Sequence, residues 1–210
     1  MRVNAQTKAA TRQRIVDASR NLFADRGFEA STTRDIADAA GIASGTLFNY
    51  FTTKEAILAS LAAEALAAAQ REFYKCNSQA ASFEEDLFAL VAAGLRKLRP
   101  MRMHLPVLLE TALSPLAATS INGDNSLRSD HLEAVVQLAK KHGLSELNPL
   151  ALQLYWTLYT GLIMFWAKDR SAKQENTLAL LDQSLAMFVG WLDGEGAGKT
   201  KGGAEPCPQP

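Results

Sequence analysis

Apolar residues recur at spacings of three and four through most of the chain, so the hydrophobic pattern predicts helices from one end to the other and no strand. Ile15, Ala18, Leu22 and Phe23 form one stripe, on a helix expected over about 11–26 and stopped by Gly27. Ile36, Ala37 and Ala40 mark a short second helix, and Leu47 and Phe51, four apart, mark the inner side of a third. An alanine-rich run from Thr53 to about Lys75 predicts a long fourth helix, since alanine favours both helix and close approach. Ser82, Phe83, Glu84 and Glu85 read as a capping box opening a helix that ends at Arg99, because Pro100 disfavours helical geometry before it. Met101 to Leu113 is broken by Pro106, and Ser114 to Asn125 reads as a loop. A helix over about 126–142 follows, with Lys140, Lys141 and His142 in its last turn and Gly143 behind it. Asn148 and Pro149 then cap and start the next.

Two further segments want apolar partners. Leu150 to Ala167 carries no charge over 18 residues, the threshold length for a membrane span. Gln153, Thr157 and Thr160 are spread through it, and a core helix covered on all sides reads the same way, so no membrane span is expected. The last helix, about 174–192, repeats Leu178, Leu181, Leu185, Phe188, Val189 and Leu192 at helical spacing. Beyond it, glycines at 194, 196, 198, 202 and 203 and prolines at 206, 208 and 210 predict a disordered tail.

The most informative stretch is Thr32 to Tyr50, which reads as two short helices around a glycine turn. Thr32 is a good N-cap with Asp35 three residues on, Gly41 suits the left-handed position past a helix end, and Ser44 is expected to cap the second helix. With Leu47 and Phe51 inward, Gly45, Thr46, Phe48, Asn49 and Tyr50 face outward, a mixed polar and aromatic face suited to a major groove. A capped hairpin of this kind also occurs in bundles that never meet DNA. Lys54 tilts the balance, because a lysine opening a helix opposes the dipole there and is explained by an anionic partner.

Charge alters the picture only locally. Lysine plus arginine equals aspartate plus glutamate at 22 each, so the whole chain carries no nucleic-acid signature. Over 1–34, seven basic residues stand against three acidic ones, an excess of four on the segment that leads into the hairpin. Cys76 and Cys207 lack metal-like spacing and suit a reducing, cytoplasmic setting, and no signal peptide is visible. Nucleophile elbow, phosphate loop and metal cluster are all missing; His104, His131 and His142 stand apart, and Glu84, Glu85 and Asp86 suit a helix N-terminus better than acid–base work. Neither enzyme activity nor a cofactor or metal is expected.

Residues Ile15, Ala18, Leu22, Phe23, Gly27, Phe28, Thr32, Thr33, Ile36, Ala37, Ala40, Gly41, Gly45, Thr46, Leu47, Tyr50, Phe51, Lys54 and Glu55 together resemble the tetracycline-repressor-like (TetR) family of bacterial transcriptional regulators. The likeness covers about the first quarter of the chain. It implies an all-α chain: an N-terminal three-helix helix-turn-helix domain over 1–52 with a flexible arm at 1–10, a C-terminal helical ligand-binding and dimerisation domain over 53–193, and a tail over 194–210. It also implies a homodimer on a palindromic site in double-stranded DNA, released by a small hydrophobic effector. By position, Thr33 and Lys54 match phosphate contacts, Arg34 a base-reaching side chain, and Thr46, Asn49 and Tyr50 the recognition helix; Ser44, Gly45 and Phe48 complete the candidate set. Phe48 departs from a position that is often tyrosine, leaving only apolar contact, for instance with a thymine methyl.

For the effector, Phe73, Phe88, Met101, Met103, Trp156, Tyr159 and Met164 are candidate apolar walls, with His104, Glu110 or Thr111 orienting a polar atom. The alternative is a DNA-bound helical scaffold controlled by a protein partner.

Overall fold

The protein is described from a computed structural model covering residues 5–76, 82–108, 126–144 and 147–196. Among these residues the chain is helical and holds no strand. Helix α1 spans Ala5–Arg26, α2 Thr33–Ala39 and α3 Ser44–Phe48. They close around Ile15, Val16, Ile36, Ala37, Ala40, Leu47 and Phe51, all buried. Local chemistry sets the boundaries of α2. Thr32 Oγ1 accepts the Asp35 N–H at 3.1 Å while Asp35 Oδ2 accepts the Thr32 N–H at 2.9 Å, a complete capping box. Gly41, at φ 65°, then lets the Ile42 N–H turn back to the Ala37 carbonyl at 3.0 Å, which returns Ile42 to the core.

Two boundaries differ from expectation. Helix α1 starts at Ala5, so the segment read as part of a flexible arm is helical over 5–10: Ala5, Gln6, Lys8, Ala9 and Ala10 are good helix formers even though they bury nothing. Ser44 does not cap α3; Ala43 holds the cap position without a side-chain bond, and Ser44 is the first helical residue.

Helix α4, Lys54–Cys76, belongs to both halves of the molecule. Its start is capped by Thr53 Oγ1, which accepts the Ala56 N–H at 3.1 Å. Ile57 and Leu61 complete the head core, whereas Leu58, Ala62, Leu66 and Phe73 enter a second, larger core. That core is walled by α5 (Phe83–Leu98), α7 (Ser126–Lys141), α8 (Pro149–Lys168) and α9 (Glu175–Trp191). Helix α5 has the expected capping box, Ser82 with Glu85, and gives way at Arg99 to a tight 3₁₀ turn, Arg99–His104, with Pro100 in its first positions. The short α6, Leu105–Leu108, admits Pro106 because the first-turn amide has no intrahelical partner to lose. The expected loop over 114–125 lies outside the described residues, as do 197–210 of the expected tail; 192–196 form a last wide helical turn.

By length and composition α8 passes as a membrane span. Its Tyr155, Trp156, Tyr159, Leu162, Ile163 and Trp166 are buried in the body core, which accounts for the missing charges on that side. Asp86, at the N-terminus of α5, is fully buried and accepts from Lys141 Nζ at 2.8 Å and His142 Nε2 at 2.7 Å, tying α5 to the end of α7. Burial pushes that carboxyl up, but the two hydrogen bonds and charges outweigh it and hold it below the usual range.

Candidate nucleic-acid interface and body cavity

Helix α3 is short, and its inner side is pinned by Leu47, which is fully buried. Ser44, Gly45, Phe48 and Asn49 are exposed on the opposite side, Thr46 is half-buried, and Phe48 offers 50% of its surface to solvent. Asn49 is the C-cap, so its side chain leaves the helix at its end. Tyr50 is half-buried and packs against the head core, giving it less freedom than a residue on the outer face. At the start of α2, Thr33 is half-buried and Arg34 exposed. Among the described residues nothing covers Ser44, Gly45, Phe48 or Asn49, which leaves their donors, acceptors and ring edges available to base edges and phosphates.

Lys54 has internal partners. Its Nζ donates to the Phe28 carbonyl at 2.7 Å and lies 4.1 Å from the centroid of the Phe28 ring. The cation that the sequence explains only by an anionic ligand is therefore also anchored within the protein, joining α4 to the α1–α2 loop. Nearby, the Arg12 guanidinium stands 4.9 Å over the Phe51 ring. On the outer side of the head, Glu64 of α4 accepts from Arg20 at 2.5 Å and from Gln13 at 3.2 Å, both of α1.

In the body, a cavity of about 80 Å³ opens between α4 and α7, lined by Ala63, Leu66, Ala67, Gln70, Leu127, Asp130 and His131. His131 is buried; its Nε2 lies 3.0 Å from the Tyr155 hydroxyl and its ring stacks 4.2 Å from that of Tyr159. Burial pushes the His131 imidazole down to about 4 and the Tyr159 phenol well above its usual range, so the cluster is neutral at pH 7. Trp156 packs against both rings, and its buried Nε1 has no hydrogen-bond partner among the described residues.

Residues 15–61 match the family described as bacterial regulatory proteins, tetR family. Over 172 residues the chain is 29% identical to the HTH-type transcriptional repressor KstR2 of Rhodococcus jostii, covering 80% of this chain and 71% of that protein. It is 49% identical to KstR2 of Mycolicibacterium smegmatis over 47 residues, 22% of this chain and 23% of that one. The chain belongs to the tetR family. In fold it is similar to the Thermus thermophilus FadR, a TetR-family repressor solved in complex with lauroyl-CoA, at a TM-score of 0.67 and 23% identity, covering 95% of this chain and all of that one. As a tetR-family member it is a DNA-binding transcriptional regulator, and the family is one of regulators and not ordinarily of enzymes.

The candidate effector residues divide within this tetR-family body. Phe73, Trp156 and Tyr159 are buried in the core, and Phe88 and Met101 are packed against it. Met103 is 89% exposed on the 3₁₀ turn and Met164 is 60% exposed on α8, so neither walls a cavity; helical phase turns both outward. His104 is half-buried against Phe28 at 5.3 Å, at the seam between head and body and away from the cavity. Glu110 and Thr111 lie outside the described residues. The sequence did not single out His131, Tyr155 or Gln70, which line or adjoin the cavity. A lone histidine on an amphipathic helix gives no signal until the fold brings two tyrosines from α8 against it.

Proposed function

We propose that the protein is a homodimeric repressor that holds palindromic DNA through Ser44–Asn49 and is released when a small, largely apolar molecule enters its body. The observation that carries this is the unengaged outer face of α3 on a head fixed rigidly to α4, in a chain similar to named repressors along most of its length. Thr33, Arg34, Thr46, Phe48, Asn49, Tyr50 and Lys54 are the proposed DNA contacts, with Arg34 and Asn49 reading bases and Thr33 and Lys54 holding phosphates. Dimerisation is proposed through α8 and α9, which leave Met164, Phe165, Leu178, Leu180 and Met187 exposed. The setting that fits such a regulator is the cytoplasm.

The cavity supports a ligand that opens its own site. At about 80 Å³ it holds a few waters, well below the roughly 300 Å³ or more of a drug-sized site, so a larger guest must part α4 from α7. Its lining is apolar apart from Gln70, Asp130 and the neutral His131, which favours a guest with an uncharged, largely apolar inner end and a carbonyl-type oxygen for the Gln70 amide. Acyl-CoA thioesters have that chemistry, and the T. thermophilus FadR complex makes them the first probes.

The test is fluorescence anisotropy on duplexes drawn from the DNA flanking the coding gene and from a randomised pool, over a salt series, with and without acyl-CoA. Tight binding to one palindrome and release by a thioester are expected. Equal affinity for all duplexes would remove the sequence-specific reading, and binding unmoved by any apolar compound would remove the effector.

A further inference from the structure

The 3₁₀ turn Arg99–His104 makes contacts at both of its faces that its length alone does not require. On one side, Arg102 Nε donates to the Trp166 carbonyl at 2.8 Å, its Nη2 donates to the Asp169 carbonyl, and its guanidinium stands 5.6 Å from the Trp166 ring. It thus gives a second donor to the Trp166 carbonyl, which also accepts the Asp169 N–H at 3.2 Å, and holds the carbonyl of Asp169, the residue that ends α8. On the other side, His104 packs on the Phe28 ring at 5.3 Å, and Phe28 is the residue whose carbonyl and ring hold Lys54. Between them Met101 packs against the body core and the head core alike.

The corner that Arg102 grips is itself strained and tightly held. Lys173 and Gln174 are both left-handed, at φ 51° and 61°, a conformation that side chains other than glycine rarely adopt. Four bonds keep it there. Asp169 Oδ2 accepts from the Thr177 N–H and hydroxyl, its Oδ1 accepts from the Ser171 N–H, and the Trp166 Nε1 donates to Gln174 Oε1 at 2.9 Å. A corner held by this many bonds is a rigid anchor, so whatever grips it is placed by it.

We infer that Arg102 and His104 are positioning residues for DNA binding: through them the α8–α9 corner, beside the proposed dimer face, sets the tilt of the head. This rests on the DNA-binding reading above. It assigns the link to a side-chain bridge across the turn, running Asp169–Arg102–His104–Phe28–Lys54, in addition to the continuous backbone of α4.

Amide hydrogen exchange on the intact protein tests it, comparing the parent with Arg102→Met, His104→Ala and the double variant, alongside each variant's affinity for one duplex. Arg102→Met is expected to speed exchange at 28–42 and to weaken duplex binding, each by about 5-fold or more. The double variant should be no weaker than the more affected single variant, since both cut one path. Faster exchange at 169–177 with no change at 28–42 overturns the inference, as does simple additivity in the double variant. Should Arg102→Met fail to fold, Arg102→Lys keeps the charge, loses the two-pronged grip and is held to the same outcomes. A parent that binds no duplex defeats the DNA-binding reading, while the exchange pattern alone then decides the bridge.

Discussion

Acid should destabilise this protein before any carboxylate is titrated, and His131 is the reason. It is buried between α4, α7 and α8, and burial holds its imidazole at about 4 against about 6.5 in an unfolded chain. Between those values the unfolded state binds a proton that the folded state refuses, so folding stability falls as pH drops through 6.5 and levels off near 4. The loss is about 2 kcal/mol at pH 5 and about 3 kcal/mol at pH 4, from about 1.4 kcal/mol per pH unit of difference. Asp169, held down to about 2 first by the Thr177 hydroxyl, and Asp86 act in another window: their contribution is present above the ordinary carboxylate range and fades only as pH falls through their lowered values. Urea titrations at pH 7 and pH 5 measure the effect, with His131→Gln as the comparison, because glutamine keeps a hydrogen-bonding end toward Tyr155 and cannot titrate. The parent should lose about 2 kcal/mol more than the variant between the two pH values. An equal loss in both, or an NMR titration of the His131 ring centred near 6.5, would show that the cluster is wet and that the argument from burial is wrong.

Lys54→Ala removes a charged hydrogen bond to Phe28 and its ring contact, so a stability loss of roughly 1–3 kcal/mol in thermal or urea unfolding is expected. If Lys54 also holds a phosphate, the salt slope of DNA binding drops by about one; a loss of stability with an unchanged slope assigns the residue to the fold alone. Gly41→Ala, at φ 65° with open space around the position, should cost about 1 kcal/mol from backbone strain, and an unchanged urea midpoint would contradict it. Met187→Asp places a charge on the exposed apolar side of α9 and should weaken the proposed dimer by several kcal/mol, read as a monomer by sedimentation at micromolar concentration. A variant that stays dimeric would move the interface elsewhere.

The head was legible because its information is local. Thr32 and Asp35 are three residues apart, Leu47 and Phe51 four, and Gly41 acts on its immediate neighbours; the cap and turn they predict are present. Ser44 misled because cap preference competes with turn length: Gly41 and the inward Ile42 fix where α3 begins, and that point falls one residue early, at Ala43. The body was legible only as a set of helices. Met103 and Met164 have the right chemistry for a cavity wall, yet which side of a helix meets the core depends on partners tens of residues away. His131 and Tyr155, 24 residues apart, meet only because the tertiary fold brings α7 against α8, and no spacing rule reports that. Lys54 was legible as anomalous but not as anchored, since its acceptor is a backbone carbonyl 26 residues earlier.

The division of α4 between two cores has a consequence for anyone grafting parts between regulators. Ile57 and Leu61 belong to the head while their neighbour Leu58 belongs to the body, so a junction placed at Thr52 would carry away a DNA reader missing part of its own interior. Such a chimera inherits foreign side chains at 57 and 61 and, on its outer flank, a replacement for the Glu64 that receives Arg20. A splice placed after Glu64 keeps the reader whole and moves the mismatch to Leu58 and Ala62, which then meet a foreign body, where a larger core has more neighbours with which to accommodate it.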